Sequence, residues 1–283
     1  MLRIAVPNKG SLSETASQML AEAGYRGRRD SRSLVAEDPK NSVEFFYLRP
    51  RDIATYVGSG AVDVGITGRD LLLDSDTAAT EIASLDFADS TFRFAAPADQ
   101  ISELAHLRGK RIATSYPKLV ADFLAKHGIE AILVKLEGAV ESAVRLGVAD
   151  AVADVVSTGA TLRAAGLSVF GPVILESTAL LIGTDTTLPD VNPHTKRLLQ
   201  RLQGVLVARK YVMMEYDLAE EHLAEATRIC PGAESPTVAP LANPGWVAVK
   251  VMVSASEAAH IMDRLHDLGA KAILVTAIHA ARL

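Results

Sequence analysis

Between residue 2 and about residue 183, short strand-like runs alternate with helix-like ones, and that alternation admits little besides a parallel α/β sheet. Ile4–Val6 reads as a first strand. Leu12, Ala16, Met19, Leu20 and Ala23 then recur at helical spacing, with Ser11 and Glu14 spaced as a capping box and Gly24 as a stop. Val43–Leu48 is the next strand, followed by a helix over 51–57 and a third strand at Val62–Ile66 that turns through Thr67-Gly68-Arg69-Asp70 into another helix. After the extended Thr91–Ala96 and Pro97 the rhythm restarts, with strands at Arg111–Ser115, Glu130–Leu136 and Ala151–Val155 and helices at Leu119–Lys126 and about 139–146. Val173–Ile182 is apolar, extended and long enough to travel between two lobes. The pattern predicts one lobe from residues 1–91 and 180–209 and a second from 92–179. Ligands of such sheets bind beyond the carboxyl ends of the strands, so the cleft between the lobes is the expected site.

Past a loop at Asp185–Pro193 and a helix marked by Leu198, Leu202 and Val205, the order changes. Tyr211–Tyr216, Ala219–Ile229, Pro236–Pro240, Trp246–Val253, Glu257–Leu268 and Lys271–Ala277 read as βαββαβ, a ferredoxin-like domain over residues 211–283. A net charge of −5 argues against a nucleic-acid-coating surface. The basic cluster Arg26, Arg28, Arg29 and Arg32 reads either as a solvated loop or as a lip attracting phosphorylated ligands. The single cysteine, Cys230, excludes an intrachain disulfide and fits a reducing compartment. With no signal-peptide pattern at Met1–Pro7 and no long apolar run, the expectation is a cytoplasmic protein away from membranes. The seven histidines are scattered; His260 and His266 share a helix but not a face, so no metal site is expected.

The segment with the most chemistry is Glu141–Leu162, ESAVRLGVADAVADVVSTGATL. A strand carries Asp154 near its carboxyl end, and the turn Ser157-Thr158-Gly159-Ala160 opens a helix near Thr161. Strand, small-residue turn and helix N-terminus together make an anion cradle, because free N–H groups and the helix dipole both face the ligand. Ser157, Thr158 and Thr161 add hydroxyls, and Gly159 lets the backbone approach closely. An acid just ahead of a phosphate loop suits a sugar, whose hydroxyls donate to it. The turn by itself leaves open whether this is a phosphate loop or only a loop.

The longer pattern is more specific. Glu141, Gly147, Ala149, Val152, Asp154, Val155, Thr158, Gly159, Thr161 and Leu162 stand at the spacings of the ATP phosphoribosyltransferase signature. Ten such matches arise by chance at on the order of 10⁻¹⁰ per start. VPNKG at Val6–Gly10, GITGRD at Gly65–Asp70 and ESPTVAPL at Glu234–Leu241 also resemble stretches that recur in that family, so the resemblance runs along essentially the whole chain. It is to the long form, which carries a C-terminal regulatory domain. The fold it implies is a two-lobed, periplasmic-binding-protein-like core followed by the ferredoxin-like domain.

The resemblance implies the first step of histidine biosynthesis, in which N1 of ATP displaces pyrophosphate from phosphoribosyl pyrophosphate. No nucleophile–base dyad is evident, and positioning and charge stabilisation would carry the rate. By resemblance, Asp154, Ser157, Thr158, Gly159, Ala160 and Thr161 hold the phosphoribosyl group, and Lys9, Gly10, Asp70, Tyr116 and Glu141 border ATP. Lys9, Arg49 and Asp154 would be the catalytic residues, with Arg49 pairing a pyrophosphate oxygen. Tyr116 either borders the purine or packs, and Glu141 either meets substrate or holds the loop. Mg²⁺ would travel with the substrate. Histidine and AMP are the implied inhibitors, with Asp217, Ser235 and Thr237 as the histidine site. Dimers assembling into hexamers are implied as well. The rival readings are a bilobed small-molecule binding module, which would not need the Asp154 loop, and a catalytically silent paralogue, which would not need Lys9 with that loop intact.

Overall fold

In the computed structural model, which describes residues 1–28, 30 and 32–282, the leading strand β1 (Leu2–Pro7) is buried along nearly its whole length. A strand that is apolar on both sides needs cover on both faces, as in a helix-flanked parallel sheet. β2 (Val35–Asp38), β3 (Val43–Leu48), β4 (Val64–Gly68) and β5 (Thr80–Ser84) follow, with α1 (Ser11–Glu22), α2 (Pro50–Gly58) and α3 (Arg69–Ser75) between them. The chain then builds a second sheet from β6 (Ser90–Ala96), β7 (Arg111–Thr114), β8 (Ile132–Lys135), β9 (Ala151–Val156) and β10 (Ser168–Ser177), with α4 (Pro117–Lys126), α5 (Ser142–Arg145) and α6 (Ala160–Ala164). It returns to the first sheet as β11 (Ala179–Gly183).

The strand orders are β2-β3-β1-β4-β11-β5 and β10-β6-β9-β7-β8. β1 runs parallel to β3 and β4, and β7 parallel to β8 and β9, so the carboxyl ends of these strands gather at one edge of each sheet. The return strand β11 is antiparallel to β4 and β5. The two passages between sheets are tied to each other. Phe87 accepts hydrogen bonds from Thr178 Oγ1 at 3.1 Å and from the Ala179 N–H at 2.9 Å, and the Leu85 N–H donates to Ala179 at 2.9 Å.

After α7 (Pro193–Lys210) come β12 (Tyr211–Ala219), α8 (Leu223–Ile229), β13 (Thr237–Pro240), β14 (Trp246–Ser254), α9 (Ala258–Asp267) and β15 (Lys271–Ala277). Their antiparallel sheet has the order β13-β14-β12-β15, the ferredoxin-like βαββαβ arrangement. Met214, Tyr216, Leu218, Val247, Val249 and Val251 alternate onto the face that packs on Ile261 and Leu265. The chain divides into two compact units, Met1–Ala21 with Tyr25–Leu199, and Glu22–Gly24 with Gln200–Leu283, the boundary falling inside α7.

Several details differ from the sequence pattern. β2 and β5 carry too few alternating apolar residues to register as strands, and the sheet claims them by pairing with β3 and β11. Ser11 is the first helical residue of α1, preceded by Gly10 at a φ of +76°, so it does not stand at the cap position of a capping box. The helix expected over 139–146 shrinks to one turn. The run 173–182 is two strands, one in each sheet, with Thr178 between them. Asp217 lies inside β12, which extends to Ala219, and not at its end.

Candidate active site

The loops that follow the parallel strands of the first unit meet around a cleft of about 440 Å³. Lys9 follows β1, and Arg49, Pro50 and Arg51 follow β3; Ser115 and Tyr116 follow β7, and Lys135 ends β8 with Glu137 and Gly138 behind it. Four cations from the two lobes therefore line it, Lys9, Arg49, Arg51 and Lys135, against the carboxylates Asp52 and Glu137. Such a lining concentrates positive potential inside low-dielectric walls and suits a multiply charged anion.

Local chemistry explains the placement. Pro50 is the first residue of α2, where its missing N–H costs nothing, and it sets Arg49 as an extended cap residue directly after the strand. Arg51 then lies with its guanidinium carbon 4.5 Å above the Tyr116 ring and Nη1 3.0 Å from Asp74 Oδ2. Tyr116 packs edge-on against Phe92 at 5.0 Å, with the Asp70 carboxylate near enough to act on its phenol. Burial pushes the Tyr116 phenol far above its ordinary value, with the Asp70 and Asp154 carboxylates adding and Arg51 opposing. Asp70 is itself buried, accepting from Ser177 Oγ at 2.7 Å while its own N–H donates to that oxygen at 3.1 Å.

Asp154 stands near the carboxyl end of β9 and accepts the Val155 N–H at 2.8 Å. Burial raises its carboxyl above the usual aspartate range. The Val155 N–H works against that, Glu141 and Asp70 add to it, and Arg51 opposes it. Gly159 caps α6 at a φ of +69°, a left-handed conformation that favours glycine, and a Cβ there would stand 3.0 Å from Arg163 Nη1. Ser157, Thr158, Ala160 and Thr161 are exposed around it.

The structure thus brings Lys9, Arg49 and Tyr116 into one cleft, and joins Asp70 and Asp154 to it electrostatically through Tyr116, with Glu141 acting in turn on Asp154. Gly10 is exposed beside Lys9. Ser157 instead lines a second cavity of about 470 Å³ beside the crossing strands, with Arg69, Asp86 and Glu176. Arg51, Asp74 and Lys135 were missed from sequence; Arg51 reads there only as a helix start, although Arg-Pro-Arg at a strand's carboxyl end was a usable signal. The basic cluster lies by β2, away from this cleft, with Arg28 over Tyr47 at 4.1 Å and Arg29 outside the described residues. In the second unit, Thr237 stands opposite Lys250, and Ala248 lies between Asp217 and Ala239, so Asp217 and Thr237 share a sheet face one row apart. Ser235 is exposed. Among the described residues, no group of three or more His, Cys, Asp or Glu side chains is placed to hold a metal ion, and no helix is long and apolar enough to cross a membrane.

The family model for ATP phosphoribosyltransferase matches residues 49–204, and that for "HisG, C-terminal domain" matches residues 208–280. The chain belongs to the ATP phosphoribosyltransferase family. Full-length relatives with that name include those of Paenarthrobacter aurescens (strain TC1) at 59% identity and Corynebacterium diphtheriae at 54%, each match covering 100% of both chains. A solved structure, the "ATP phosphoribosyl transferase (HisG:HisZ) complex from Thermotoga maritima", is similar at 27% identity with a TM-score of 0.64, covering 73% of this chain and 98% of that one. The fold is a two-lobed α/β core, shared with that transferase structure, followed by a ferredoxin-like domain. The protein is a transferase: it moves the phosphoribosyl group of phosphoribosyl pyrophosphate to ATP, at the start of histidine biosynthesis.

Proposed function

We propose that the transfer takes place where the strand ends of the two lobes face each other, and that the residues divide the work by charge. The convergence of Lys9, Arg49, Arg51 and Lys135 carries this reading. They take the phosphate oxygens of both substrates, Arg49 and Arg51 as planar forks and the lysines as point charges. Asp154 accepts hydrogen bonds from the ribose hydroxyls; a carboxylate buried beside other carboxylates gains most from such donors. The turn Ser157–Thr161 presents N–H groups and hydroxyls to the 5-phosphate. Tyr116 and Asp70 border the purine, and Glu141 supports the Asp154 loop.

As N1 of adenine approaches the anomeric carbon, the bond to pyrophosphate breaks and its electron pair leaves with that group. Positive charge grows on the ribose near Asp154 while negative charge grows among the cations, so both ends of the developing dipole meet fixed opposite charge. Magnesium would enter with phosphoribosyl pyrophosphate and neutralise the leaving group, held mainly by phosphate oxygens and water. Histidine would be sensed in the second unit by Asp217, Ser235 and Thr237, and AMP would be a second inhibitor. The enzyme would work in the cytoplasm as dimers that assemble into hexamers.

The test is the ultraviolet absorbance of phosphoribosyl-ATP followed at varied concentrations of each substrate. Arg51→Ala should lower kcat/KM by on the order of tenfold to a hundredfold, the loss of a charge-assisted hydrogen bond. Unaltered kinetics in that variant and in Lys9→Ala would show that the phosphates bind elsewhere.

A further inference from the structure

One carboxylate of the first unit serves both lobes at once. Asp74, near the end of α3, has a side chain only 8% exposed. Its Oδ1 accepts the backbone N–H of Lys118 at 3.0 Å and of Leu119 at 3.2 Å, and its Oδ2 accepts Arg51 Nη1 at 3.0 Å. Lys118 and Leu119 are the second and third residues of α4, and the N–H groups of a first helical turn have no partner within the helix. A Ser, Thr, Asp or Asn just ahead of the helix ordinarily supplies one. Here that position holds Tyr116, which makes no capping bond with its side chain. The capping acceptor for α4 comes instead from the other lobe.

Tyr116 is committed elsewhere, with its ring beneath Arg51 and edge-on to Phe92. The same carboxylate that caps the helix following Tyr116 also grips the guanidinium lying over it. We propose that Asp74 is a positioning residue for the transfer, holding the α4 N-terminus with one oxygen and Arg51 with the other so that Tyr116 and Arg51 stay aimed into the cleft. This rests on the reading of that cleft as the phosphate site. The Lys118 ammonium, 3.7 Å from Asp76 at the end of α3, adds a weaker tie between the same two helices.

The two oxygens can be separated by substitution. Asp74→Asn keeps a carbonyl oxygen for the α4 amides and removes the charge from Arg51, whereas Asp74→Ala removes both. Hydrogen–deuterium exchange at Lys118 and Leu119 in the full-length enzyme reads the cap without reference to catalysis. Steady-state kinetics read Arg51, and thermal melting shows that each variant is folded. In Asp74→Ala, exchange at these two amides should quicken by on the order of fivefold, the usual worth of a cap, with kcat falling too. In Asp74→Asn, exchange should stay as in the parent while KM rises about threefold, as expected for losing an ion pair whose arginine is partly exposed. Unchanged exchange in Asp74→Ala would remove the cap. Faster exchange with parental kcat and KM in both variants would reduce Asp74 to a structural tie. If instead Arg51→Ala is silent while the exchange result holds, the reading of the cleft fails and the cap stands.

Discussion

Asp154 bears a charge where the surroundings disfavour one. Burial is the main cause, and the Glu141 and Asp70 carboxylates add to it. A carboxyl whose folded-state value is raised favours the fold when protonated. Its contribution is complete below the ordinary value of 3.8 and is lost as pH rises through the raised value. At neutral pH the substrate-free enzyme therefore carries the full cost of that charge. Asp154→Asn should raise the melting temperature at neutral pH, and the gain should disappear on acidification toward the ordinary aspartate value. The same variant should lose on the order of a hundredfold or more in kcat. A melting temperature that falls at neutral pH would show that the carboxylate has structural partners. Sequence alone made Asp154 conspicuous, because an acid ahead of a small-residue turn is chemically odd. It could not show the crowding by Asp70, which stands in the first turn of α3, 84 positions earlier in the chain.

The packing of α2 on the first sheet depends on an absence. Gly65 lies in the buried strand β4, and a Cβ there would stand 2.5 Å from Ile53 Cγ2, 3.1 Å from Val57 Cγ2 and 3.3 Å from Ala5 Cβ. The helix that carries Arg51 therefore seats directly on bare backbone. Gly65→Ala should destabilise the fold by about 1–3 kcal/mol through overpacking, seen as a lower urea midpoint with little change in the slope. An unchanged midpoint would mean that Ile53 can swing aside at no cost. Strand β4 was readable from its apolar run, and β3 and β15 were readable to the residue. β2 and β5 were not, because short edge or partly exposed strands take their conformation from a neighbour's hydrogen-bonding groups and not from their own side-chain pattern.

For the molecule as a whole, the proposed division of labour puts catalysis in the first unit and the response to histidine in the second. Asp217 and Thr237 share a sheet face although 19 residues separate them between strands β12 and β13 that do not pair with each other. Asp217→Ala should weaken inhibition by added histidine by on the order of tenfold while leaving uninhibited turnover intact. An unaltered inhibition constant would move the effector site off this sheet. Apart from β2 and β5, the main strands and helices, the restart after Pro97, the βαββαβ tail and the Asp154–Thr161 turn were legible in the sequence, because hydrophobic period and turn chemistry are local properties. Tertiary structure alone decided that Arg51 lies over Tyr116, that α4 is capped by Asp74, and that Ser157 opens on a different cavity from Lys9. Each of these joins groups far apart in the chain, and only the register of two sheets and the path between them brings such groups within bonding distance.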